Sequence, residues 1–552
     1  MKNWQKIILL LIFLVALVLR LIRIGENPTL ISDEASIGYN AYSILETGKD
    51  EWGKLLPLSF KSFGEYKLPL YIYLTVPSIA IFGLNEFAIR FPSVLFGSLT
   101  VILVFFLTKE ILSKTKSSII NHKQSLLLRN KSSISLLAAF LLAISPWHIQ
   151  VSRMALEANL SLFLTMLGVL LLLKAKTNFK FYYFSFFLFA LTFYTYNSSR
   201  IFTPLFLSFY FLTQRGKIKF NDIFRPAVLG LVVILPIIFS GFAGSRERLY
   251  KVGLFSDPGL VAQINEKRGE CLTHQNQTVC VLRYNKPVVY ALTFAKNYLS
   301  HFSPRFLFSE GAGLSQYSVP GQGMLYFWEI PFIFVGLGYL FKLRKEFLFL
   351  IFWILLAPLA NSLTGTAHPV RAILMLPIFQ IFSAVGIIAS IVFFRKRIYF
   401  RYIFSGLLAL VILVSVGGFA VKYFLYYPQV ANWNWQMGYK NLYQELFRLE
   451  GDYEKIYVSK FYGEPHIFYL FYRKFSPSSY QQNKDVIRHD REDKWVNVDQ
   501  IGKYYFVQEP EQISLKDKEL LALPLQEFSF QGETVESIKY KNGQTAFLIL
   551  KK

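Results

Sequence analysis

The sequence predicts a polytopic α-helical membrane protein that ends in a small soluble α/β domain. Three observations carry that prediction. Of 552 residues, 53% are hydrophobic, 17% aromatic and only 17% charged, against roughly 25% charged in ordinary globular chains. Apolar stretches long enough to cross a bilayer recur over the first three quarters of the chain. From about Lys422 onward the pattern changes to short strand-like runs and charged loops.

The formal net charge is +24. In a soluble chain such an excess would suggest nucleic acid. Here the positive-inside rule explains it, because Lys and Arg gather in cytoplasmic loops, and no nucleic-acid partner is expected. The basic clusters fall at Lys2 and Lys6, Lys109 to Lys131, Lys174 to Lys180, Arg215 to Arg225, Lys342 to Lys345, and Arg395 to Arg401. With all six inside, the apolar stretches near 7–24, 88–108, 133–151, 158–173, 181–196, 201–214, 226–241, 324–341, 347–361, 372–394 and 402–421 become about eleven spans.

The N-terminus resembles a signal peptide but lacks a small-residue cleavage site, so it reads as an uncleaved anchor with a cytoplasmic start. Pro69 to Leu84 is apolar too, but counting it would reverse the charge rule. It is therefore expected to lie in the outer interface, anchored by Tyr66, Tyr71 and Tyr73. Arg20 and Arg23 sit at the outer end of the first span; snorkelling to headgroups is the favoured reading and holding an anionic substrate the other. The division is a transmembrane part, 1–421, with long external loops at 25–87 and 242–323, and an external domain, 422–552. That domain shows a helical pattern from Trp435 to Leu449 and strand-like runs at Lys455–Val458, Tyr504–Val507 and Thr545–Leu550. The Lys109–Lys131 loop is expected to be mobile. Cys271 and Cys280, the two cysteines, lie close together in a loop read as external, so a disulfide is favoured over two free thiols.

The candidate chemistry gathers at the outer rim. The acidic pair Asp33-Glu34 follows the first span, where ionised groups are costly and usually kept for function. Asp33 is the candidate general base; capping a short helix near Ala35 is the competing role. In Glu65-Tyr66-Lys67-Leu68-Pro69-Leu70-Tyr71, Lys67 falls at the depth of a lipid phosphate, Glu65 either pairs with Lys67 or binds the acceptor, and Tyr71 is a candidate substrate contact. An ordinary interfacial lysine is the plainer reading. Trp147-His148 is followed by Arg153 and Glu157, spaced for one helix face. Arg200, His368 and Arg371 fall at equivalent levels, and several cations around a carboxylate suit a phosphate leaving group. The seven histidines show no ligand spacing, so no metal site and no cofactor are expected. Walker, Rossmann and nucleophile-elbow signatures do not occur. Asn276-Gln277-Thr278 matches the short glycosylation pattern.

These motifs together resemble the GT-C membrane glycosyltransferases, in the branch of protein O-mannosyltransferases and lipid A aminoarabinose transferases. The resemblance rests on Asp33-Glu34, Lys67-Leu68-Pro69-Leu70-Tyr71, Arg90-Phe91-Pro92-Ser93, Ser145-Pro146-Trp147-His148 with Arg153, Tyr194-Thr195-Tyr196 with Arg200, and His368-Pro369-Val370-Arg371, over about residues 5–400. It implies an inverting transfer from a polyprenyl-phosphate sugar to an acceptor hydroxyl on a lipid, glycan or protein, at the outer face of the plasma membrane. It puts the base on Asp33, with Glu34 as second acid, and the donor phosphate on Lys67. From their place at the outer rim, Arg153, Arg200 and Arg371 are read as further phosphate contacts, and Glu65, Tyr71, His148, Glu157 and His368 as substrate contacts. The terminal α/β domain is similar to periplasmic domains of bacterial members. The competing class is a lipid-linked sugar transporter, which would place its ionisable residues near the bilayer midplane.

Overall fold

The structure, a computed structural model, describes residues 1–27, 29–113, 129–216, 218–240, 253–313, 316–341, 344–430, 435–491, 495–524 and 532–552. Most of the Lys109–Lys131 loop, expected to be mobile, lies outside them. The helices are α1 Asn3–Leu21, α2 Ser32–Thr47, α3 Pro69–Phe82, α4 Glu86–Ser113, α5 Lys131–Ala143, α6 Pro146–Ser152, α7 Glu157–Lys174, α8 Lys180–Thr192, α9 Ser199–Thr213 and α10 Phe220–Phe239. They continue with α11 Pro258–Leu272, α12 Gln277–Arg283, α13 Lys286–Ser300, α14 Glu329–Phe341, α15 Arg344–Leu356, α16 Leu376–Phe393, α17 Ile398–Val421, α18 Tyr439–Leu449, α19 Pro465–Arg473 and α20 Pro477–Gln481.

Among the described residues, six helices are long and apolar enough to cross a membrane, and seven if the bent pair α5–α6 is one span. This is a multi-span membrane protein, but eleven full spans are not found. The stretches expected near 181–196, 201–214, 324–341 and 347–361 are α8, α9, α14 and α15, helices of 13 to 15 residues, short of the roughly 20 needed to span. For α8, α14 and α15 hydropathy counted apolar turn residues that the backbone leaves outside the helix, whereas the stretch at 201–214 coincides with α9 and is itself short. The span expected at 133–151 is bent by 58° at Ser145-Pro146, because proline cannot continue the hydrogen-bond ladder of the preceding turn.

The chain divides into two compact units. The first comprises 1–19, 96–151 and 158–416. Inside it α14 and α16 touch backbone to backbone. A Cβ on Gly386 would lie 1.9 Å from the Phe332 carbonyl oxygen, and one on Gly336 would lie 2.0 Å from that of Phe382. At one end of this crossing Glu329 accepts hydrogen bonds from the Ser383 hydroxyl (3.0 Å) and the Tyr326 N–H (3.1 Å). Cys271 of α11 and Cys280 of α12 form a disulfide.

The second unit comprises 20–95, 152–157 and 417–552. Its sheet runs β4 (Val486–Asp490), β5 (Val496–Ile501), β6 (Tyr504–Val507), β3 (Lys455–Ser459), β7 (Glu519–Leu523), β9 (Thr545–Lys551), β8 (Glu533–Lys539). Strand β3 is parallel to both neighbours and the other pairs are antiparallel. The alternating burial of β3, β5 and β6 follows from the two-residue side-chain period of a strand. The terminal segment closes on α2. Phe471 of α19 packs where a Cβ on Gly38 would stand, 2.7 Å away, and Gln481 donates to Ser43, Thr47 and Asp50.

The same unit buries Glu51, which accepts from the Asn40 amide at 3.0 Å. Burial pushes its carboxyl from 4.5 up to about 7, against the opposing pull of the Asn40 hydrogen bond and of Arg488. A raised carboxyl holds its proton in the folded state where the unfolded chain has lost it. Its contribution is therefore complete below pH 4.5 and lost as pH rises through 7. At about 1.4 kcal/mol per pH unit the loss is on the order of 3 kcal/mol. Glu51→Gln keeps the acceptor for Asn40 and is expected to remove this pH dependence. Thermal unfolding in detergent at pH 5 and pH 8 checks it: wild type should lose stability between the two and the variant should not.

Candidate active site

The site is built on the start of α2. Helix α2 begins at Ser32 and its cap is Ile31, so Asp33 is the second helical residue and not the cap. In that first turn a carboxylate is favoured by the helix dipole. Ile31 has no side-chain oxygen to offer the free N–H groups, and Glu34 reaches back to the Ile31 N–H at 3.4 Å.

Asp33 and Glu34 have opposite environments. Glu34 is fully buried. Its Oε1 accepts from Arg90 Nε (2.8 Å) and the Ala155 N–H (2.8 Å), and its Oε2 accepts from Arg90 Nη2 (2.5 Å) and the Ile31 N–H. Four donors fill the acceptor positions of one carboxylate, including a bidentate fork from Arg90. Arg90 Nη1 donates to the Ile24 carbonyl (2.9 Å), and Nη2 also donates to the Thr29 carbonyl (3.1 Å). Glu34 thus ties α2, the start of α4 and the break after α6 into one frame. Asp33 points the other way. Its side chain is 37% exposed, and its carboxylate is 2.6 Å from Lys67 Nζ, whose side chain is 5% exposed.

Lys67 is held by a hairpin. Strands β1 (Phe60–Lys61) and β2 (Tyr66–Lys67) pair antiparallel, with Lys67 opposite Phe60. The Lys67 ammonium lies 5.5 Å from the Phe63 ring centre. Burial alone would lower its pKa, but Asp33, Glu65 and Glu157 outweigh burial and raise it, so it stays a cation. The terminal sheet clamps this hairpin. The Val496 N–H donates to the Phe63 carbonyl (2.5 Å), Lys61 pairs with Asp490 (2.6 Å), and the Trp495 ring covers Gly64.

Several expectations change. Arg20 is fully buried, so it does not snorkel; protein surrounds it before it can reach the headgroups. Tyr71 is buried with its hydroxyl donating to the Ile89 carbonyl at 2.9 Å, and Tyr73 donates to the Pro57 carbonyl. These tyrosines bind protein rather than the interface. Arg153 and Glu157 do not share a helix, because the chain breaks between α6 and α7. Arg153 is 2% exposed and donates to the Tyr423 hydroxyl (3.1 Å) and to the carbonyls of Arg20 (2.9 Å) and Asn27 (3.1 Å). It braces the turn between α1 and α2. Arg90, quoted above only as part of a motif, is the cation that holds Glu34. Its partner stands 56 residues away, and no local spacing announces it.

The second unit therefore brings together Asp33, Glu34, Glu65, Lys67, Tyr71, Arg153 and Glu157. The remaining candidates belong to the first unit. There His148 is buried, and the neighbouring Trp147 donates to the Pro369 carbonyl at 2.8 Å. His368 lies against the Tyr317 ring at 4.6 Å. Arg200 donates to the Phe193 carbonyl and Arg371 to the Thr364 hydroxyl. No group of three or more His, Cys, Asp or Glu side chains is placed to hold a metal ion among the described residues.

Residues 10–121 match the family model described as dolichyl-phosphate-mannose-protein mannosyltransferase. Comparison with curated proteins by sequence finds no match. Among solved structures, ArnT from Cupriavidus metallidurans in the apo state superposes with a TM-score of 0.51 at 10% identity, over 98% of this chain and 97% of that one. The same protein bound to undecaprenyl phosphate gives 0.51 at 12% identity, over the same shares. The archaeal oligosaccharyltransferase AglB from Archaeoglobus fulgidus, in complex with an inhibitory peptide and a dolichol-phosphate, gives 0.49 at 15% identity, over 83% of this chain and 62% of its own. The chain thus spans about three fifths of the length of AglB and nearly all of ArnT. The fold is that of the GT-C membrane proteins.

Proposed function

We propose that the protein is an inverting glycosyltransferase that moves a sugar from a polyprenyl-phosphate donor to an acceptor hydroxyl at the outer face of the cell membrane. The observation that carries the reading is the Asp33–Lys67 pair at 2.6 Å, with Asp33 open to solvent and Glu34 fully committed. Asp33 takes the proton of the acceptor hydroxyl as its oxygen bonds to the anomeric carbon. The bond from that carbon to the phosphate oxygen breaks on the opposite face, and the electron pair leaves with the polyprenyl phosphate. Lys67 meets the charge that develops on this leaving group. Glu65 and Glu157, which act on Lys67 electrostatically, contact the substrate in this reading.

The match of residues 10–121 to a dolichyl-phosphate-mannose enzyme family supports the donor class. So does the undecaprenyl phosphate on an ArnT of the same fold. The test is sugar transfer in membranes from a panel of polyprenyl-phosphate sugars. Wild type is expected to transfer from at least one donor, and Lys67→Met to lose roughly 10²-fold or more of that rate. Absence of transfer by wild type from every donor overturns the reading.

A further inference from the structure

The start of α2 is held by a residue from the far end of the chain. The first free N–H of the helix, on Ser32, donates to the Gln436 side-chain oxygen at 2.7 Å, across 404 residues. Gln436 in turn donates its amide nitrogen to the Tyr462 carbonyl at 2.6 Å. An N–H faces one end of the amide and a carbonyl the other, so the orientation of the group is determined by its partners.

The surroundings serve this contact. Gln436 adopts a left-handed backbone, φ +49, a conformation that non-glycine residues pay for. Gly463, φ +110, leaves the room the amide needs, because a Cβ there would stand 2.7 Å from Gln436 Nε2. Next to it, Trp435 is fully buried and donates to the Tyr427 hydroxyl at 2.6 Å. Tyr427 packs on Tyr423, which accepts from Arg153. Gln436 is thus mounted on a rigid aromatic base. The α2 cap, Ile31, lacks a capping oxygen, and Gln436 supplies one from outside the helix.

We infer that Gln436 is a positioning residue for Asp33, holding the first turn of α2 so that the Asp33 carboxylate stays in register with the acceptor hydroxyl. The inference rests on the proposed transfer reaction. It gives the terminal segment a part in catalysis: Gln436 is the point at which that segment grips the reacting helix. Gln436 acts through Ser32 and touches no substrate in this reading.

The experiment compares wild type with Gln436→Met, which keeps the length and loses both hydrogen bonds. Two readouts are taken on the full chain in detergent or membranes. In the transfer assay, kcat per folded molecule is expected to fall about 10²-fold, the scale of a 1 Å misplacement, with KM for donor and acceptor within about threefold. A loss confined to Tm or to the yield of folded protein, with kcat unchanged, overturns the inference. In amide exchange, the Ser32–Ser36 segment is expected to exchange at least about tenfold faster than in wild type, since its first donor is released. Unchanged exchange there overturns the inference whether or not a transfer activity is found, so its failure is distinct from failure of the functional reading. If Gln436→Met does not fold, Gln436→Asn asks the same question, because its shorter arm cannot reach both partners.

Discussion

Replacing Asp33 by Asn is expected to lower kcat for sugar transfer by about 10²- to 10⁴-fold, the contribution of a positioned general base, and to leave the protein folded. Asn keeps the size of the side chain and can accept a hydrogen bond from Lys67, but it cannot take the acceptor's proton. The Asp33 side chain is 37% exposed, and its buried partner Lys67 keeps Glu65 and Glu157 as neighbouring charges, so Tm should fall less than when Glu34 is changed. Glu34→Gln should fail in the other way. It removes the charge from a carboxylate that holds a fully buried guanidinium. Breaking one half of a buried pair costs about 3–5 kcal/mol, and the new amide would set an N–H against an Arg90 or backbone donor. Folded protein and Tm should therefore fall before any catalytic constant is affected. The two adjacent acids are told apart by measuring both quantities on both variants. A Glu34→Gln protein with wild-type Tm and a thousandfold loss of kcat, beside an active Asp33→Asn protein, would exchange their roles.

How much of this was legible in the sequence depends on the range of the interaction. The membrane class, an acidic pair just after the first span and most helices follow from local composition and periodicity, which a single window can register. The strand runs at Tyr504–Val507 and Thr545–Leu550 coincide with β6 and with all but the last residue of β9, because alternation is local too. Which of two adjacent acids is buried is not local. It is decided by Arg90 and Ala155, which come to Glu34 from 56 and 121 residues away. The grip of Gln436 on Ser32 has no sequence signature at all: a lone glutamine in a loop looks the same whether or not a helix start lies beside it. The break between α5 and α6 was likewise missed, since hydropathy continues across a bend, whereas the break between α6 and α7 falls where the stretches at 133–151 and 158–173 were separated. Ser145-Pro146 was the available signal for the first.

The crossing of α14 and α16 was equally invisible, and it carries a second large expected effect on stability. Close helix approach in membranes is usually read from two small residues four apart on one helix. Here each helix contributes one glycine, Gly336 and Gly386, and each faces the carbonyl of the residue four positions before the other: Phe382 precedes Gly386, and Phe332 precedes Gly336. The obstacle to a side chain is backbone, at 1.9 and 2.0 Å, so no rotamer change relieves it and the helices must separate. Gly386→Ala is expected to cost about 1–3 kcal/mol, as overpacking does. Gly386→Leu should cost more, because the separation also strips the packing on both sides and pulls Ser383 from Glu329. Gly338, with open space around its Cβ position, is the control on the same helix, and Gly338→Ala should hold stability or raise it slightly through helix propensity. Thermal unfolding in detergent ranks the variants. An order other than Gly338→Ala above Gly386→Ala above Gly386→Leu would mean that backbone contact does not limit this crossing.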